Sequence, residues 1–179
     1  MFHIEDVVIK PSVGLCKIKA IRRMEIEDRT EDYYVIQSGD VDVLVPRKLA
    51  DNGAIRHPMD EALLKRVWEQ LEAPFRPAAL IEDEEADTLR SMSAAEIKSL
   101  LRRRDPMELV EAVRFLHNKQ QEYVLDKKES GCLTNASAML VEEMAFVEKT
   151  TKGRIRTQLN RMLATGRKLG RRKPTAEEE

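Results

Sequence analysis

Residues 33–46 read YYVIQSGDVDVLVP: an aromatic and β-branched run, a Ser-Gly-Asp punctuation, and a second β-branched run. Tyr33-Tyr34-Val35-Ile36 predicts a strand, Ser38-Gly39-Asp40 a tight turn, and Val41 to Val45 the next strand. In the second run Val41, Val43 and Val45 face one way while Asp42 and Leu44 face the other. Pro46 ends it, because proline has no N–H to give to a ladder.

Toward the N-terminus the same grammar continues. Asp6 to Lys10 is a β-branched run, and Pro11-Ser12-Val13-Gly14 has the residues of a turn. Leu15 to Ile21 alternates, with Cys16, Ile18 and Ala20 expected on one face and Lys17 and Lys19 on the other. Arg22 to Asp32 reads as a polar connector. Short strands with tight turns imply a small β-barrel over residues 1–56, of a size that is marginal by itself.

Toward the C-terminus the period changes after Gly53. Pro58-Met59-Asp60 opens a helix carrying Leu63, Leu64, Val67, Trp68 and Leu71, which stops before Pro74. A second helix runs through Ile97, Leu100 and Leu101 to Arg104, and Asp105-Pro106 caps and starts a third with Leu109, Val110, Val113 and Leu116. Leu133, Ala136, Leu140, Met144 and Val147 mark a fourth; Ile155, Leu159, Met162 and Leu163 mark a fifth, ended by Gly166. Strands first and helices afterwards give an α+β chain. The expected order is a small β-barrel (1–56), a bundle of about five helices (57–165), and a flexible basic, then acidic, tail (166–179).

Composition agrees with a helix-rich core: 42% of residues are apolar but only 4% aromatic, and 35% are charged. The net charge of −1 conceals an asymmetry. Residues 1–56 sum to −1 and residues 57–149 to −6, whereas residues 150–173 hold nine Lys or Arg and no acid before Glu177, Glu178 and Glu179. That basic stretch points to a polyanionic partner. Cys16 and Cys132 make no disulfide framework and read as reduced, buried apolar residues. Neither an 18-residue apolar run nor a signal-peptide pattern is present in the sequence, so a cytoplasmic, nucleoid-associated protein with no membrane partner is expected.

Readings as an enzyme find little support. His3, His57 and His117 lack metal-type spacing, and Glu82-Asp83-Glu84-Glu85 with Asp87 lacks the glycine and alternating oxygens of a calcium loop. A carboxylate-metal enzyme would have to be built on those acids; a solvated helix start is the simpler reading. No catalytic, cofactor-binding or metal-binding residue is assigned.

Five strings, in order, resemble the CarD family of bacterial RNA-polymerase-binding transcription regulators, which includes the shorter CdnL-type members. They are Phe2 to Gly14 (FHIEDVVIKPSVG), Val41 to Pro46 (VDVLVP), Leu63 to Pro74 (LLKRVWEQLEAP), Pro106 to Leu116 (PMELVEAVRFL) and Ala138 to Val147 (AMLVEEMAFV). The resemblance covers about residues 2–164. It implies an N-terminal Tudor-like barrel that binds the polymerase β subunit, and a helical domain that touches promoter DNA at the upstream edge of the melted bubble. It implies no covalent chemistry, and a monomer is expected.

The resemblance also marks departures. The family's minor-groove tryptophan falls on Thr88-Leu89-Arg90-Ser91, so Leu89 is the candidate wedge in its place. The barrel arginines that face the polymerase fall on Met24 and Leu44, which become the candidate polymerase contacts. Candidate DNA contacts are Arg90, Lys98, Arg102, Arg103, Arg104, Lys127 and Lys128, with Arg167, Lys168, Arg171, Arg172 and Lys173 from the tail. For Arg102-Arg103-Arg104 a cationic helix end is an equal alternative. Arg154, Arg156 and Arg161 alternate with the apolar seam of the last helix, which can therefore pack and still show a basic face. Trp68, inside an apolar helical face, reads as core. Because the wedge and barrel arginines are missing, a protein–protein adaptor without direct DNA binding is the alternative function.

Overall fold

A computed structural model describes residues 1–11, 13–26, 29–75 and 94–170. The chain divides into two compact units, Met1–Pro58 and Met59–Glu179.

The first unit is a curled antiparallel sheet of four strands, β1 Val7–Lys10, β2 Gly14–Ile26, β3 Arg29–Ser38 and β4 Val41–Pro46, in the order β1-β2-β3-β4. It is the half-barrel expected of a Tudor-like module. Gly39, at φ 59°, supplies the left-handed residue that turns β3 into β4. A helical turn over residues 47–54 follows β4 and carries the chain back to the far edge. There Ile9 and Arg56 exchange both backbone hydrogen bonds, at 2.7 and 3.0 Å. The edge at β1 is thereby partly covered, whereas β4 pairs only with β3 among the described residues.

Two expectations for this unit need correcting. Arg22 to Asp32 is not a connector: β2 runs on to Ile26 and β3 starts at Arg29, with Arg22 opposite Tyr33, Arg23 opposite Asp32 and Met24 opposite Glu31. A two-stranded arm that buries neither face shows no apolar alternation, so its polar composition mimics a loop. Nor does Ala20 share a face with Cys16 and Ile18. Ile18 pairs with Ile36 but Ala20 pairs with Val35, so Lys19 is the extra residue of a β-bulge that reverses the strand's inward parity. The core under the sheet comprises Phe2, Val8, Cys16, Ile18, Tyr34, Ile36, Val45, Ala50 and Ile55. Phe2 closes it, edge-on to Tyr34 at 6.0 Å between ring centroids.

The second unit holds five helices among the described residues: α1 Glu61–Glu72, α2 Ala94–Arg103, α3 Pro106–Glu122, α4 Lys127–Val147 and α5 Lys152–Gly170. Their starts are chemically marked. Asp60 accepts from Leu63 N at 2.7 Å; Asp105 accepts from Met107 N and Glu108 N, with Pro106 at the first helical position. Asp126 and Glu129 form a reciprocal capping box at the head of α4. The buried seam runs through Leu64, Val67 and Leu71, then Leu109, Val110, Val113 and Leu116, then Leu140, Val141 and Met144, and ends in Ile155, Leu159 and Leu163.

Trp68 packs against this core, half-buried, and its indole Nε1 donates to Glu148 Oε1 at 2.7 Å. The expected end of the last helix at Gly166 is also corrected: α5 continues to Gly170 and Gly166 is buried within it. A Cβ there would stand 2.7 Å from the Ala73 carbonyl oxygen, and Phe75 N donates to Gly166 O at 3.1 Å. Here glycine serves close approach between the end of α1 and α5, a use that sequence alone cannot tell from termination.

Candidate functional site

Two surfaces stand out, one in each unit. In the half-barrel it is the outer strand β4. Leu44 is 41% exposed and Val41, at the start of the strand, 61% exposed, while Val45 is buried in the core. An edge strand carries a row of unpaired N–H and C=O groups, and exposed apolar side chains along it add area for a partner. Met24 is half-buried on β2, opposite Glu31. By register, Met24 and Leu44 share one face of the sheet, flanking β3 from either side: Leu44 is opposite Val35, and Val35 lies four residues from Glu31 on the same strand. The two candidate polymerase contacts therefore share a face but are not neighbours.

In the helical unit, the cations at the end of α2 separate into three kinds. Arg102 is exposed. Arg103 Nε lies 3.1 Å from Glu108 Oε2, so it ties the end of α2 to the start of α3. Arg104, with φ of 51°, holds the left-handed position that ends the helix. Its side chain is 12% exposed and lies 3.7 Å from Glu142, which also accepts from Lys152 at 3.1 Å. Arg104 thus serves the junction of α2, α4 and α5. A phosphate would reach it only by breaking that packing.

Lys98 and Arg102 are four residues apart on α2 and so share a helical face. Lys98 also lies near Cys132 of α4, where it draws the thiol pKa down against three stronger effects that raise it: burial first, then Asp126 and Glu129. Cys132 is in turn four residues from Lys128, on one face of α4. Lys98, Arg102, Lys127 and Lys128 are each exposed, on two helices that pack together. Lys119 pairs with Glu129, so that carboxylate is already engaged. Cys132 is half-buried, not fully buried as the sequence suggested, whereas Cys16 is buried and its thiol donates to Gly14 O at 3.4 Å.

Lys168 is exposed on α5, and Arg167 lies on the same helix. Leu89, Arg90, Arg171, Arg172, Lys173 and the acids of 82–87 lie outside the described residues. One feature escaped sequence reading: Tyr123 and Val124, in the link between α3 and α4, are 66% and 97% exposed. Among the described residues nothing covers these two side chains.

Among the described residues no helix is long and apolar enough to cross a membrane. Residues 2–60 match the family model of the CarD-like/TRCF RID domain, and residues 82–160 match that of the CarD C-terminal domain. The half-barrel falls within the first match, and α2, α3, α4 and the first half of α5 fall within the second, while α1 lies between the two. This chain belongs to the CarD-like family of RNA-polymerase-interacting transcription factors.

Proposed function

We propose that the half-barrel docks on the β subunit of RNA polymerase through β4, and that the helical unit contacts promoter DNA through Lys98, Arg102, Lys127 and Lys128. The observation that carries this reading is the edge of β4, unpaired among the described residues and lined by exposed Leu44 and Val41. Strand addition supplies main-chain hydrogen bonds, and an apolar Leu44 makes that contact independent of a salt bridge. The chain would act by binding the melted promoter state more tightly than the closed one, since only differential affinity shifts an equilibrium. Leu89 would be the wedge in the minor groove. The molecule would work as a monomer in the cytoplasm, on the nucleoid.

The test is retention of polymerase by the tagged full chain, with and without Leu44→Asp. Wild type should retain the β subunit, and the variant should lose at least tenfold, because a carboxylate forced into an apolar edge contact loses its hydration without gaining a partner. Equal retention by both would remove β4 from the contact.

The adaptor reading, contact with polymerase but not with DNA, draws support from one observation. Arg103 and Arg104 are engaged in ion pairs within the unit. DNA left unshifted at low salt, with polymerase still retained, would select the adaptor, since phosphate contacts are strongest there.

A further inference from the structure

Helix α5 carries six Lys or Arg and no acid between Lys152 and Gly170. Three of them, Arg154, Arg161 and Lys168, recur every seven residues and are exposed. A seven-residue step drifts about 20° on an α-helix, so the three form one stripe with neighbours about 10.5 Å apart. Ile155, Leu159 and Leu163 bury another side of the same helix in the core. None of the three cations forms an ion pair with a described residue, whereas Lys152, on a different face, is taken by Glu142. Thr157, Ala164 and Thr165 lie between them, and both threonine hydroxyls donate back to their own helix, at 3.1 and 3.0 Å.

We infer that this outer face of α5 is a contact for the sugar-phosphate backbone of duplex DNA, additional to the Lys98, Arg102, Lys127 and Lys128 surface. The stripe lacks the aromatic or large aliphatic residues that a protein interface core or a membrane surface requires. What it offers is regularly spaced positive charge on a rigid rod. Cations about 10.5 Å apart are separated widely enough to meet different phosphates. The contact is independent of sequence and positions the chain without reading bases. This inference rests on the nucleic-acid part of the proposed function.

The experiment measures binding of the full-length protein to a mixed-sequence duplex by fluorescence anisotropy over a range of salt concentrations. It compares wild type, Arg154→Gln/Arg161→Gln/Lys168→Gln, and Lys98→Gln/Arg102→Gln/Lys127→Gln/Lys128→Gln. Losing three phosphate contacts should make the slope of log K against log salt shallower by about 2.7. The conservative variant Arg154→Lys/Arg161→Lys should keep the wild-type slope. All positions are exposed, and thermal melting of each variant checks that it is folded. If the α5 variant keeps the wild-type slope while the four-site variant loses it, the stripe is refuted and the proposed DNA contact stands. If wild type fails to bind at low salt, the nucleic-acid reading fails and the stripe with it. If the α5 variant binds duplex normally but loses polymerase, the stripe is a protein contact and the inference is overturned.

Discussion

Gly166 illustrates how much one residue decides in the helical unit. Its missing Cβ lets α5 approach the end of α1, where Ala73 O and Glu72 O would stand 2.7 and 3.1 Å from any Cβ. Arg114 completes the junction: its guanidinium donates to Ala73 O at 2.8 Å and Pro74 O at 3.2 Å and lies over the Phe75 ring. Burial lowers the Arg114 pKa from its ordinary value, with Glu111 opposing, yet a guanidinium stays charged, so the carbonyls just after α1 keep a cationic partner. Gly131 in α4, by contrast, has nothing within 4 Å of a built Cβ. Opposite signs are therefore expected for one chemical change. Gly131→Ala should stabilise by about 0.5–1 kcal/mol through helix propensity. Gly166→Ala should destabilise by about 1–3 kcal/mol, because backbone oxygens on the other side cannot move aside. Urea midpoints of the two variants decide the matter, and a rise in both would show that α1 and α5 do not meet so closely.

At the scale of elements, the capping box of α4 links stability to the proposed DNA surface. Asp126 Oδ1 accepts from Glu129 N at 2.7 Å, and Glu129 returns a carboxylate oxygen to Asp126 N at 3.2 Å. Glu129 also pairs with Lys119 of α3, so the first turn of α4, which carries Lys127 and Lys128, is held from two directions. Asp126→Ala should cost about 1 kcal/mol in urea unfolding, and Asp126→Asn should recover most of it, since asparagine caps nearly as well. Equal losses in both variants would assign the effect to charge at the helix end and not to the cap. The β4 strand makes a similar point for the half-barrel. Its hydrogen-bonding edge is available because the sheet is an open meander whose other edge receives the Ile9–Arg56 bridge. Polymerase retention by the Leu44→Asp chain is thus a test of an element's edge as much as of a side chain.

For the whole molecule, charge matters through placement, not through the sum. Residues 171–179 contain Arg171, Arg172 and Lys173 followed after three residues by Glu177, Glu178 and Glu179, so removing them leaves the net charge unchanged. Because α5 runs to Gly170, a chain of residues 1–170 retains the whole helix, whereas a cut after Gly166 would remove its last turn. The 1–170 chain should melt as wild type does. Its duplex-binding slope should be shallower by about 2.7 if all three tail cations sit on phosphates. An unchanged slope with unchanged melting would confine the DNA contact to the helices.

Most of the secondary structure was legible in the residues because local chemistry states it: Ser38-Gly39-Asp40 as a turn, Asp60 and Asp105 before their helices, and Val and Leu at strand or helix spacing. The polar arm from Arg22 to Asp32 was not legible, since a ribbon that buries neither face leaves no pattern. The bulge at Lys19 was hidden for a related reason, because its effect on parity appears only against the register of β3. The candidate surfaces divide in the same way. Sequence alone established where the positive charge lies along the chain, since charge is a property of residue type. Which cations are engaged was decided by the tertiary structure: Arg104 turned in to Glu142, Arg103 tied to Glu108, and Lys98 brought beside α4. The physical reason is that an ion pair depends on a distance of a few ångströms between side chains on different helices, and only packing sets that distance.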